Sequence, residues 1–175
     1  MITRNNTLTV AELFFKYPER KFHLRELERL TKLSMPGVRN IANRLVKEGL
    51  LDSESEKVVK NYYARRDDKF VRMKRVYNLY SIFFSGLLDF IKNEYREPET
   101  IILFGSYSRG EDISKSDIDI AVITADHKEP DLSAFEKKLA RKIKIYEIRL
   151  EKAEREFLNT LGNGIVLYGY LKVAR

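Results

Sequence analysis

Residues 103–122 read LFGSYSRGEDISKSDIDIAV. The apolar run from Thr100 to Phe104 stops at Gly105-Ser106, and ten residues further on Asp117 and Asp119 stand one residue apart inside a second apolar run. Side chains alternate faces along a strand, so Asp117 and Asp119 share one face while Ile118 and Ile120 take the other. Two carboxylates side by side repel unless a cation sits between them, and hard oxygen donors of this kind suit a divalent ion such as Mg2+. A Gly-Ser turn just past a strand end offers backbone N–H groups and a hydroxyl, which suit phosphate. A phosphate-binding turn beside a metal-binding carboxylate pair is the minimum needed to move a phosphoryl or nucleotidyl group.

Gly-Ser, ten residues and Asp-x-Asp, set between two apolar runs, resembles the signature of the DNA polymerase β-like nucleotidyltransferases. The short length is similar to the minimal nucleotidyltransferases of that superfamily. Gly105, Ser106, Asp117 and Asp119 carry the match, with Gly110 and Ser116 at places the family favours, and the resemblance covers residues 98–175. It implies a mixed sheet with flanking helices. It implies that Gly105, Ser106, Arg109 and Ser116 hold the phosphates of a nucleoside triphosphate, with ATP the first choice, while Asp117 and Asp119 bind Mg2+. The family places a third carboxylate on a later, neighbouring strand, where it helps to activate the attacking hydroxyl. The candidate strand is KIKIYEIRL, residues 142–150, and its only acid is Glu147, which shares strand parity with Ile143 and Ile145. An alternative alignment, anchored on LYG at 167–169, puts Tyr146 at that place. Asp117, Asp119 and Glu147 are thus the expected catalytic set, with the third member open between two alignments.

The chain has 175 residues, enough for one domain or two small ones, and 43% of them are hydrophobic, enough for a packed core. It has no cysteine, so disulfides and cysteine–zinc sites are excluded. The N-terminal residues MITRNNTLTVAEL lack a signal-peptide pattern, and no apolar run approaches the eighteen or so residues of a membrane span. A cytoplasmic protein with no membrane contact is the expectation. The net charge of +7 is uneven: residues 1–66 hold 14 Lys and Arg against 8 Asp and Glu, while residues 67–175 hold 19 against 18. A small domain with this basic excess carries the electrostatic footprint of nucleic-acid binding.

The first third gives a pattern of three helices and a hairpin. Thr9–Phe15 read as a short helix ended by Pro18. HLRELERLT, residues 23–31, places Leu24, Leu27 and Leu30 on one helical face. Ser34 caps a third helix with Pro36 in its first turn; Val38, Ile41, Leu45 and Val46 are its core stripe, and Gly49 stops it. A strand opens at Leu50-Leu51, and VVKNYYA returns after a polar tip. Residues 7–66 resemble the winged helix-turn-helix domains of bacterial and archaeal regulators, with LVKEGLL at 45–51 the closest stretch. Arg39, Asn40, Asn43, Arg44 and Lys47 fall outside the core stripe of the third helix, and Lys57, Lys60, Arg65 and Arg66 lie on or after the wing. Arg and Lys serve phosphates or guanine, and Asn reads adenine. His23 begins a helix and His127 lies in the polar loop HKEPD, so the two histidines suggest no metal site.

Asp68 to about Glu94 reads as one long helix, with Val76, Leu79, Tyr80, Phe83, Phe84, Leu87, Leu88 and Ile91 at three-and-four spacing and Gly86 its weak spot. Such a stripe must be buried, either on the C-terminal sheet or against a second copy, and a homodimer suits a two-fold operator. Glu97-Pro98-Glu99 is the linker. A helix over 132–142, the strand 142–150, a helix over 151–161 and the segment IVLYGYL complete the chain. The expected class is α+β: a winged helix over 1–66, a connecting helix and linker over 67–97, and a nucleotidyltransferase domain over 98–175. Two functions are open. One is a DNA-binding protein that transfers a nucleotidyl group to an acceptor, with a protein such as a toxin the first guess. The other is a transcriptional regulator that binds nucleotide as an effector without turning it over.

Overall fold

The computed structural model describes residues 5–56 and 59–172, so Lys57, expected on a wing, lies outside the described residues. Contacts divide the chain into two compact units, Met1–Lys74 and Arg75–Arg175.

In the first unit the order is α1 (Asn6–Lys16), β1 (Lys21–His23), α2 (Leu24–Thr31), α3 (Met35–Lys47), β2 (Leu51–Glu56) and β3 (Val59–Ala64). The helix ends follow from their residues. Asn5 caps α1, its side chain accepting from the Leu8 N–H at 2.8 Å. His23 caps α2, its Nδ1 accepting from the Glu26 N–H at 3.2 Å. Ser34 stands at the start of α3 but makes no side-chain cap bond; Pro36 in the first turn sets the entry instead. The three strands form an antiparallel sheet in the order β1-β3-β2. Phe14, Phe22, Leu27, Val38, Ala42, Leu45, Leu51 and Tyr62 are buried, and Phe14 meets Phe22 edge-on with centroids 5.2 Å apart. Of the expected core residues, Leu30 is exposed and Leu24, Ile41 and Val46 are half-buried; α2 turns Leu27 fully inward, and Ala42 is the inward residue of its turn of α3.

The expected single helix over 68–94 is two: α4 (Asp68–Ser85), which carries the chain from the first unit into the second, and α5 (Leu87–Glu94). Gly86 adopts φ +83° between them, a left-handed conformation that glycine takes without strain. The second unit continues with β4 (Thr100–Phe104), α6 (Gly105–Arg109), β5 (Ile118–Ile123), α7 (Ser133–Leu139), β6 (Ile143–Ile148), a 3-10 turn (Leu150–Lys152), α8 (Arg155–Gly162) and β7 (Ile165–Gly169). The helix expected over 151–161 is thus a short turn followed by α8. The sheet order is β6-β5-β4-β7; β4 is antiparallel to β5 and β7, and β5 is parallel to β6. α7 lies on the crossover that a parallel pair requires.

Each sheet face is covered by apolar packing. Ile101, Leu103, Ile118, Ile120, Val122 and Ile143 pack against Ile82, Leu87, Ile91, Tyr95 and Leu139. Ile102, Phe104, Ala121, Ile123 and Ile148 pack against Leu161 and Phe157 of α8. The segment read as a connector is therefore part of this core from Ile82 onward. Val76, Phe83 and Phe84 of the expected stripe are exposed, because the buried side of α4 and α5 runs through Ile82, Leu87 and Ile91. No helix among the described residues is long and apolar enough to cross a membrane.

Candidate functional site

The antiparallel register of β4 and β5 pairs Phe104 with Asp119, so the chain leaves β4 beside that carboxylate. Gly105 follows at φ +72°, and a Cβ built on it would lie 2.5 Å from Asp119 Oδ2. Only glycine allows this approach, and it puts the backbone of the Gly-Ser turn against the aspartate. Ser106 is the next residue of α6 and is half-buried; Ser108 is buried and donates to the Gly105 carbonyl at 2.8 Å.

The loop from Gly110 to Asp117 is fixed from beneath. Asp112 is buried and ion-paired with buried Arg141 at 3.0 Å, and its other oxygen accepts from Asn78 Nδ2 at 2.8 Å. Removing one partner of such a buried pair costs about 3–5 kcal/mol, so this loop is not free to wander. Of the residues expected to meet phosphate, Ser116 spends its Oγ on the Ile113 N–H at 3.0 Å, and Arg109 pairs with Glu111 at 2.7 Å on the exposed surface. Gly105 adjoins Asp119 with Ser106 next to it in the chain, while Ser116 shapes the turn that delivers Asp117.

Asp117 sits one residue before β5 and Asp119 is its second residue. On β6 the register sets Lys144 beside Asp119 and Tyr146 beside Ala121. Lys144 Nζ lies 2.6 Å from Asp117 Oδ2. That hydrogen bond and the charge behind it hold the ammonium above its ordinary pKa. The Tyr146 hydroxyl donates to Asp119 Oδ1 at 3.3 Å. Burial, together with the Asp119 charge and bond, pushes that phenol up. Tyr146 is braced by Phe104 edge-on at 5.3 Å and by Phe157 at 6.3 Å. Sequence reasoning did not single out Lys144. A signal for it exists: Asp-Ile-Asp-Ile at 117–120 and Lys-Ile-Lys-Ile at 142–145 alternate in phase, which pairs isoleucine with isoleucine and aspartate with lysine.

The expectation for Glu147 is corrected. Its register partner is Val122, three residues along the strand from Asp119, roughly 10 Å at 3.3 Å per residue. It also shares the parity of Ile143 and Ile145, which pack on the sheet face opposite Asp119. Its carboxylate accepts from the Tyr95 hydroxyl at 2.6 Å, from the Lys128 N–H at 2.6 Å, and pairs with His127 Nδ1. Burial works against its charge, but these bonds outweigh burial and hold the carboxyl below its usual range. The same contact raises His127. Glu147 therefore anchors the loop after β5 rather than joining the aspartates, and Tyr146 is the residue of this strand that faces them.

The chemistry of the aspartate pair fits a Mg2+ ion, which typically takes one or two carboxylates and completes its shell with water and substrate phosphates. Among the described residues no group of three His, Cys, Asp or Glu is placed to hold a metal, so a bound ion would rely on Asp117, Asp119 and a ligand of its own.

In the first unit, Arg39, Asn40 and Lys47 are exposed on α3. Asn43 is exposed yet engaged: its Oδ1 accepts from the Tyr62 hydroxyl at 2.9 Å and from Lys60 Nζ at 3.2 Å, tying α3 to β3. Bidentate reading of adenine needs that oxygen as an acceptor, so Asn43 serves structure first. Arg44 donates to Thr7 and lies 3.8 Å from Glu48.

Residues 87–171 match the family model described as Polymerase beta, Nucleotidyltransferase. The match supports the nucleotidyltransferase superfamily for this domain, and nucleotidyl transfer as the general chemistry of its kind. No curated protein and no solved structure matches the chain.

Proposed function

We propose that this protein is a DNA-binding regulator whose nucleotidyltransferase-type domain binds a nucleoside triphosphate, ATP as first choice, as an effector. The observation that carries this reading is the neighbourhood of the aspartates: Tyr146, which one of the two alignments sets at the place of the third carboxylate, donates to Asp119, and Glu147 is committed to Tyr95 and His127. In this reading the backbone of Gly105 and the hydroxyl of Ser106 take the phosphates, while Asp117 and Asp119 hold Mg2+. When bound, the metal offsets the charge of phosphates and carboxylates. Tyr146 is a poor general base, since its hydroxyl already donates to Asp119 and its proton is held more tightly than usual. The first unit reads as a winged helix that presents Arg39, Asn40 and Lys47 to duplex DNA, supported by the basic balance of residues 1–66.

Calorimetry tests the nucleotide site. Mg·ATP should bind the wild type, and Asp117→Asn with Asp119→Asn should abolish binding with the fold intact by circular dichroism. Unchanged affinity in the double variant removes the site. Labelled ATP with Mg2+ should release no pyrophosphate beyond the background rate.

Pyrophosphate release that depends on Asp117 and Asp119 would establish the second reading, transfer of a nucleotidyl group to an acceptor such as a protein partner. The family match over residues 87–171 and the Gly105–Asp119 approach favour that reading.

A further inference from the structure

The contact between Lys144 and Asp117 has no place in the metal chemistry just described. Lys144 projects from β6 on the aspartate face, its register partner is Asp119, and its ammonium is 2.6 Å from Asp117 Oδ2. β6 is an edge strand of the sheet, and the Lys144 side chain is 57% exposed. It reaches Asp117 across the surface without support from the core. An exposed ion pair of this sort adds little to stability. Its consequence is occupancy: a monovalent cation already sits on one of the two carboxylates a divalent ion needs.

We propose that Lys144 is the resident counter-cation of the aspartate pair, excluding free divalent ions and admitting a metal only in company with a polyphosphate. A bare divalent ion approaching Asp117 meets a positive charge already at contact distance from the same oxygen. Two carboxylates with one ammonium leave a single negative charge to attract it, against two in the pair alone. A polyphosphate changes this. Lysine is a compact point charge with three donors on a flexible stem, so it transfers readily from carboxylate to phosphate oxygen. The ammonium then helps to hold the ligand, and Asp117 becomes available to the ion the ligand brings. The polyphosphate half rests on the nucleotide reading above; the counter-cation half rests only on Lys144, Asp117 and Asp119.

Manganese is the probe, because free Mn2+ is counted directly by electron paramagnetic resonance. Wild type, Lys144→Met and Lys144→Gln are titrated with MnCl2 at low ionic strength, with and without ATP. Because Lys144 is exposed on an edge strand, both variants should fold, which circular dichroism checks. Both variants should bind free Mn2+ at least tenfold more tightly than wild type, and Asp117→Asn in the Lys144→Met background should erase the gain. Binding of Mn·ATP should change by less than the tenfold seen for the bare ion. The proposal is overturned if both Lys144 variants bind free Mn2+ no better than wild type, or if the gain survives Asp117→Asn. If Mn·ATP fails to bind wild type while the gain for the bare ion appears, the nucleotide reading and the polyphosphate half fall, and the counter-cation assignment stands.

Discussion

Gly105 shows how one residue decides the local geometry. Its φ of +72° and its 2.5 Å Cβ approach to Asp119 Oδ2 leave no room for any side chain. Gly105→Ala adds left-handed strain and a clash with a carboxylate held in place by Tyr146. The variant should lose about 1–3 kcal/mol of stability in chemical denaturation, the range for one residue forced into a sparsely populated conformation. It should also lose nucleotide binding, because the turn must move away from Asp119. Wild-type stability and affinity in the variant would mean that the turn is not pressed against the aspartate. The pairing of glycine with aspartate was legible in the sequence, since both residues and their spacing stand in one motif. The partners of the aspartates were not, because Lys144 and Tyr146 come from a strand 25 or more positions downstream whose register only the sheet fixes.

The elements teach the same lesson through β6. Its alternation Ile143, Ile145, Glu147 could be read from the sequence, but the decisive fact is which sheet face those isoleucines cover. They cover the face packed by α5 and α7, and Glu147 goes with them to Tyr95 and His127. That cluster makes a direct prediction. His127 should titrate above its ordinary value of 6.5, and Glu147→Gln should return it toward that value, read from the imidazole carbon-bound protons by NMR. The chain has two histidines, so assignment needs one further variant, His23→Gln. The sign follows from linkage: a raised histidine contributes its contact fully below its unfolded pKa and loses it as pH rises through the folded one. The lowered Glu147 does the reverse, losing its contribution as pH falls through its folded pKa. The tie between the loop and β6 is therefore strongest in the window between the two groups. A His127 that titrates identically in the two proteins would discard the contact. The break at Gly86 was foreshadowed by the residue itself; the choice of Ile82 over Phe83 as the inward residue was not, because both fit a helical stripe.

At the scale of the whole molecule, charge is the most legible property and the site of its use the least. The basic excess of residues 1–66 was countable, yet Asn43, which looks from sequence like a reader of bases, holds Tyr62 and Lys60. DNA binding through α3 makes separable demands. Affinity for duplex should fall steeply with salt as counterions are released. Arg39→Ala with Lys47→Ala should weaken binding to every sequence and flatten the salt slope by about one per lost phosphate contact. Asn40→Ala should relax sequence preference by about 1–3 kcal/mol. Fluorescence anisotropy over fragments upstream of the gene measures all three, and no binding to any fragment at low salt would assign the domain to a protein partner. The parity of β6 carries a last consequence. To bring Glu147 round to the aspartates the strand would have to slide by one residue, and the slide would carry Ile143 and Ile145 out of the interior and lysines into it. The folded protein therefore has no low-energy route for switching its own third acid into place by sliding the strand. A third acid on the aspartate face of this strand would have to replace a residue that already faces that way, and Lys144 and Tyr146 hold those positions beside Asp119 and Ala121.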